Sequence, residues 1–316
     1  MLDRIPTLED IQDCAQRIQS IIHHTPVLTC GNLDEVSGAQ IFFKCENFQK
    51  IGAFKMRGAS SAGTLLNDEA RQKGLATHSS GNHGQAVALT AKMLGVPAYI
   101  VMPENAPSVK KNAVKGYGAQ VIECESTAAG RQNMLDKVVV NTGAHFISPY
   151  NDYGVIAGQA TAVVELLEEV PGLEIMITPL GGGGLMAGAA LACHYLQPSI
   201  EVIGGEPKNA DDGYRSFRSG KIEPLATEVT IADGLRSPLG DKTFGIIKEY
   251  VNDVVTVTEE EIIHAMRLIW ERMKLVIEPS CAVPFAVVLQ QPERFKDKKI
   301  GIILTGGNVD LTRLPF

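Results

Sequence analysis

The chain has 316 residues, room for one large α/β domain or two lobes, and its 45% apolar and 21% charged residues exclude a disordered chain. A net charge of -7, from 29 basic and 36 acidic residues with no basic block, excludes a nucleic-acid partner, and no apolar run approaches the ~18 residues of a membrane span. The acidic start lacks the apolar core of a signal peptide, and the six cysteines are scattered singly; both predict a soluble, cytoplasmic protein with free thiols.

Along the chain, the first predicted strand is 41–43, followed by a helix start within Gly52-Ala53-Phe54-Lys55-Met56-Arg57-Gly58-Ala59. Strand 75–78 leads through Ser79-Ser80-Gly81-Asn82-His83-Gly84 into a helix over 82–94. Strand 98–102, helix 106–115, strand 119–123 and helices 131–141 and 153–169 come next. Strand 174–178 runs into Gly181-Gly182-Gly183-Gly184 and a helix over 185–195, then strands 200–204 and 253–257. The helix over 259–273 carries a capping box, Thr258 with Glu261, and strand 300–305 ends in Gly306-Gly307-Asn308. This alternation predicts βαβ crossovers and mainly parallel sheets covered on both faces. Joints at Gly74 and Ser148-Pro149-Tyr150 predict a small mobile lobe, 74–148, inserted into a larger domain of 1–73 and 149–316.

Such sheets place their functional groups beyond the carboxyl ends of strands, where the glycines of this chain collect. Four successive residues without Cβ ahead of a helix let backbone N–H groups converge under the helix dipole, which suits a phosphate; a plain strand-to-helix turn needs only one or two glycines. Gly182, Gly184 and Ala187 also spell G-x-G-x-x-A, with Glu206 about 20 residues on, so a dinucleotide-binding module is a rival reading. Lys55, set between an aromatic and small residues, is either an ordinary exposed lysine or, with the phosphate nest and the polar 79–84 loop, a lysine that forms a Schiff base.

Taken together, the motifs resemble one family along the whole length. Phe48-Gln49-Lys50 with residues 53–59, residues 79–86, Val155-Ile156-Ala157-Gly158-Gln159, the four glycines, Glu206 to Asp212, Thr230 to Gly234, Glu271 to Lys274, Glu278-Pro279 and Thr305 to Asp310 occur in the order seen in fold type II pyridoxal-phosphate enzymes. The chain resembles serine racemases and short serine/threonine ammonia-lyases among them. The resemblance implies a tryptophan-synthase-β-like α/β fold of two lobes with mainly parallel twisted sheets, and a homodimer. It implies Lys55 as the Schiff-base lysine beside Phe54, Gly181 to Gly184 with Leu185 as the phosphate site, Asn82 on the ring hydroxyl and Thr305 on the ring nitrogen. The substrate, a small amino acid, would be held by Ser79, Ser80, Gly81, Asn82 and His83, with Arg131 and Ser237 near the entrance. Glu206, Ala210 and Asp212 resemble a site for Mg2+, Ca2+ or Mn2+.

The activity so implied is racemisation of serine, with Lys55 and Ser80 as acid and base on opposite faces of Cα, together with dehydration of serine or threonine. A plain ammonia-lyase and a lyase for threo-3-hydroxyaspartate are the alternatives. Long biosynthetic threonine dehydratases often carry alanine where this chain has Ser80, which favours the racemase. Cys30-Gly31-Asn32 and Lys50-Ile51-Gly52 depart from the nucleotide-contacting stretches of animal serine racemases, and Tyr150 replaces an asparagine near their cofactor.

Overall fold

The computed structural model describes residues 2–227 and 229–316. Among them, ten strands form two sheets: β1 (Val27–Leu28), β2 (Gln40–Cys45), β3 (Leu75–His78), β4 (Ala98–Pro103), β5 (Gln120–Cys124), β6 (His145–Phe146), β7 (Ile175–Pro179), β8 (Glu201–Pro207), β9 (Asp253–Val257) and β10 (Lys299–Leu304). The larger sheet has the order β1-β2-β10-β7-β8-β9, and the smaller β5-β4-β3-β6. Every pairing is parallel except β1 with β2. The four strands of the smaller sheet all lie between residues 75 and 146.

Apolar residues alternate along each central strand, and both faces are covered. Ile175 and Ile177 of β7 join Ile300, Ile302 and Leu304 of β10 in one core, while Met176 and Ile303 face the other. A strand buried on both sides is a continuous apolar run, which is why 174–178 and 300–305 stood out in the sequence. The structure shortens the second of these: Thr305 leaves the ladder, and Gly306 instead bridges to Ala53.

Helix boundaries follow local chemistry. The helix expected at 106–115 starts at Ser108 because Pro107 precedes it, and that expected at 131–141 begins at Ala128, capped by Thr127 accepting from the Gly130 amide. The capping box at Thr258 and Glu261 forms, with Glu261 accepting the Thr258 amide at 2.7 Å. Helices Leu8–Ile18, Asp241–Tyr250 and Pro279–Gln290 were not anticipated; the last is buried nearly throughout and shows no amphipathic period.

Helix Lys55–Thr64 crosses helix Tyr153–Glu169 with almost nothing between them. A Cβ at Gly158 would lie 2.6 Å from the Arg57 carbonyl and 2.7 Å from Gly58 Cα. That contact fixes where Lys55, the first residue of its helix, meets the crevice between the two sheets.

Candidate active site

Four loops converge beyond the carboxyl ends of β2, β3, β7 and β10. Phe54 donates its amide to the Thr305 carbonyl (3.0 Å), which sets the start of the lysine helix against the end of β10. Lys55 Nζ lies 5.1 Å from the centre of the Phe54 ring and donates to the Pro149 carbonyl at 2.8 Å. Protein atoms around the amine strip it of water and lower its pKa to about 8; the nearby Glu278 opposes part of that shift.

In the loop after β7, each glycine has a neighbour where its side chain would be. A Cβ at Gly181 would meet Leu235 Cα at 2.9 Å, and one at Gly182 the Tyr150 ring at 2.4 Å. Gly183 has φ +89° and is walled by Ile247, Leu239 and Thr243, while Gly184 faces the Tyr150 backbone. Protein therefore fills the Cβ side of the loop. The amides of Gly181, Gly182 and Gly183 donate to nothing among the described residues, and helix Gly184–Leu196 starts directly behind them. Unpaired amides at the start of a 13-residue helix are an anion cradle.

Helix Asn82–Leu94 begins without a side-chain cap, so the Asn82 and His83 amides are likewise free among the described residues. Ser79 Oγ accepts from the Gly81 amide (3.2 Å), and the Ser80 side chain has no internal partner among the described residues. His83 is buried and its Nε2 bonds the Ile147 carbonyl at 3.0 Å. Burial, with Lys55 nearby, pushes this imidazole down to about 3, so it stays neutral. Asn82 directs its amide hydrogens at both oxygens of Glu278 (3.1 Å each), and its oxygen accepts from Asn308 at 2.8 Å. A bond from Asn82 to a ring hydroxyl would require one of these to be exchanged. Thr305 Oγ1 is buried with no hydrogen-bond partner.

Glu206 and Asp212 sit beside the glycine loop. Glu206 accepts the Gly213 (2.9 Å) and Tyr214 (2.7 Å) amides, and burial still raises its pKa well above the usual value. Both oxygens of Asp212 are buried without a partner, and desolvation lifts this carboxyl to about 6. Ala210 is buried next to them in sequence.

The structure thus brings together Phe54, Lys55, Asn82, the glycine loop and Thr305. Arg131 and Ser237 are half-buried and make no hydrogen bond to these groups among the described residues. Arg131 lies near enough to His78 to help hold that imidazole low.

Sequence reasoning missed Glu278 as a site residue. It reads as a helix N-cap before Pro279, and its partner Asn82 is 196 positions away. Pro149 was legible only as a joint, because a backbone carbonyl leaves no mark in composition. Among the described residues, His24, Glu165 and Glu169 also cluster at metal-binding distance, but the Lys44 ammonium fills that corner, 2.8 Å from each carboxylate.

The residues present suit pyridoxal phosphate: a cradle of free amides for its phosphate, a lysine with a lowered pKa, and an orphaned hydroxyl in Thr305. The comparisons agree. A family described as pyridoxal-phosphate dependent enzyme matches residues 18–306, and the chain belongs to that family. It is 47% identical over 312 residues to the β-hydroxyaspartate dehydratase of Paracoccus denitrificans, covering 99% of each chain. It is 48% identical over 310 residues to the L-threo-3-hydroxyaspartate ammonia-lyase of Saccharomyces cerevisiae, covering 98% of this chain and 95% of that one. The crystal structure of serine racemase from Dictyostelium discoideum matches with a TM-score of 0.93 at 49% identity, covering 96% of this chain and 99% of that one. The fold is the α/β fold of type II pyridoxal-phosphate enzymes, and the dinucleotide reading falls away. No helix among the described residues is long and apolar enough to cross a membrane.

Proposed function

We propose that this chain racemises serine and eliminates ammonia from serine or threonine, with Lys55 and Ser80 working on opposite faces of the substrate Cα. Pyridoxal phosphate supplies, when bound, the delocalisation that makes the Cα proton removable. Lys55 carries the reading: with a pKa of about 8, its amine is neutral often enough near pH 8 to accept a proton. The free amides of Asn82 and His83 would hold the substrate carboxylate, and those of Gly181 to Gly183, leading into Leu185, the cofactor phosphate. Thr305 would meet the ring nitrogen, and Phe54 would pack beside the ring. Elimination from L-serine needs a base on the Lys55 face only. Racemisation also needs a proton from the opposite face, which falls to Ser80.

Lys55→Ala is expected to abolish both activities. Ser80→Ala is expected to lose L-to-D conversion of serine by about 10²-fold while keeping keto-acid formation from L-serine within roughly tenfold. Chiral chromatography and a keto-acid assay on one preparation read both. Equal losses would reduce Ser80 to substrate positioning.

A second reading, a lyase for threo-3-hydroxyaspartate, is favoured by Arg131, which makes no ion pair among the described residues and could take a second carboxylate alongside Ser237. Turnover of serine, threonine and hydroxyaspartate by the wild type separates the two. The unpaired Asp212 oxygens beside Glu206 support a divalent cation, Mg2+, Ca2+ or Mn2+, with the Ala210 carbonyl as a further ligand. The confinement of the smaller sheet to residues 75–146 supports 74–148 as a mobile lobe on 1–73 and 149–316. The exposed Phe48 and Val276, which line one surface cavity, support a homodimer, and six unpaired cysteines support a cytoplasmic setting.

A further inference from the structure

Each residue of the glycine loop has a different reason to lack a side chain. At 181 and 184 the obstacle is backbone, of Leu235 and Tyr150 respectively, and at 183 it is a positive φ. Only at 182 is it an aromatic ring: a Cβ there would lie 2.4, 2.5 and 2.6 Å from Tyr150 Cδ1, Cγ and Cε1. Thr243 Oγ1 also donates to the Gly182 carbonyl at 2.8 Å, so this one residue is held by a hydrogen bond as well as crowded by the ring.

Tyr150 is itself held on both sides. The preceding carbonyl, of Pro149, accepts from Lys55 Nζ at 2.8 Å. The following residue, Asn151, bonds Asp241 (2.7 Å) and the Lys242 amide (3.0 Å). The phenol has no hydrogen-bond partner among the described residues, so what Tyr150 offers the loop is its ring.

We infer that Tyr150 is a positioning residue whose ring requires glycine at 182 and seats the loop with its amides directed at the cofactor phosphate. The inference rests on the pyridoxal-phosphate reading above. A run of glycines is intrinsically loose, and a ring with few rotatable bonds, fixed before and after, narrows it at small entropic loss.

The test is a double-mutant cycle read by titrating pyridoxal phosphate into cofactor-free proteins and following absorbance. Tyr150→Phe should keep the dissociation constant within about twofold, because the ring is retained. Tyr150→Ala should weaken binding by roughly tenfold, and Gly182→Ala by at least as much, since it forces the ring aside. In the Tyr150→Ala background, Gly182→Ala should do little further harm. Gly184→Ala is the control: it collides with Tyr150 Cα, Cβ and carbonyl, which alanine retains, so its loss should persist in that background. Multiplying losses for Tyr150→Ala with Gly182→Ala would mean that the cofactor, not the ring, demands glycine there, and would overturn the inference. Melting temperatures of the cofactor-free proteins follow the same cycle independently: Gly182→Ala should lower it and Tyr150→Ala should restore part of the loss. A wild type that binds no pyridoxal phosphate would sink the functional reading, and the melting cycle would still decide whether the ring imposes glycine.

Discussion

Glu278 is a carboxyl group that Asn82 holds by two hydrogen bonds in a place water hardly reaches, and burial raises its pKa from 4.5 to about 7. Between those values the folded chain keeps a proton that the unfolded chain has released. This group therefore makes stability fall as pH rises through that window, with its full penalty above about 7. Glu278→Gln keeps the shape and an acceptor for Asn82 while removing the charge. In cofactor-free protein it should stabilise the fold at pH 8 on the order of 2 kcal/mol and much less at pH 5. Melting curves at the two pH values check this, and an equal gain at both would show that charge is not the cause. Glu278 also props up the Lys55 ammonium, so the same variant should move the acid limb of the pH–rate profile to lower pH. The roles proposed for Lys55 and Ser80 could be argued from sequence because both residues lie inside compact motifs. Glu278 was not, because its significance comes from a partner brought in by the fold.

At the scale of one element, helix Lys55–Thr64 is moored by Arg57, two residues after the lysine. Its fully buried guanidinium donates to both oxygens of Glu46 (2.8 Å each), both of Glu165 (2.7 and 2.8 Å) and Thr161 (3.1 Å). Glu46 is itself fully buried, so Arg57→Met would leave its charge uncompensated, a loss of about 3–5 kcal/mol. Arg57→Lys keeps the charge but loses the fork that serves two carboxylates at once, and should recover only part of the loss. Urea denaturation of the three proteins measures both. If Arg57→Met unfolds at the wild-type midpoint, the cluster does not moor the helix. The helix start was predicted from its motif, yet the cluster was invisible there, since its acids come from positions 46 and 165 and look like ordinary surface charges. Helix Pro279–Gln290 escaped for the opposite reason: burial all round erases the periodicity by which helices are recognised.

For the whole molecule, the strands were legible from their apolar runs, but the sheet order was not. Nothing local in 299–304 tells that β10 enters between β2 and β7. The proposed cation site makes a prediction about the molecule as a whole, because an ion that binds only the folded chain stabilises all of it. Mg2+ at 100 times its dissociation constant should add ~2.7 kcal/mol, and Asp212→Asn should remove most of that gain. Thermal melts with Mg2+ or with chelator test it, and identical curves for the wild type would dismiss the site. The position of β10 also bears on how the protein is made. Residue 299 pairs with residue 40, so on the ribosome β2 and β7 must wait, with a gap between them, until residues 299–304 have emerged. The smaller sheet is assembled from contiguous sequence and can close long before. Thr305 follows β10, so the start of the Lys55 helix gains its anchor on the Thr305 carbonyl only after that strand has been made, and a chain halted before it lacks one wall of the crevice.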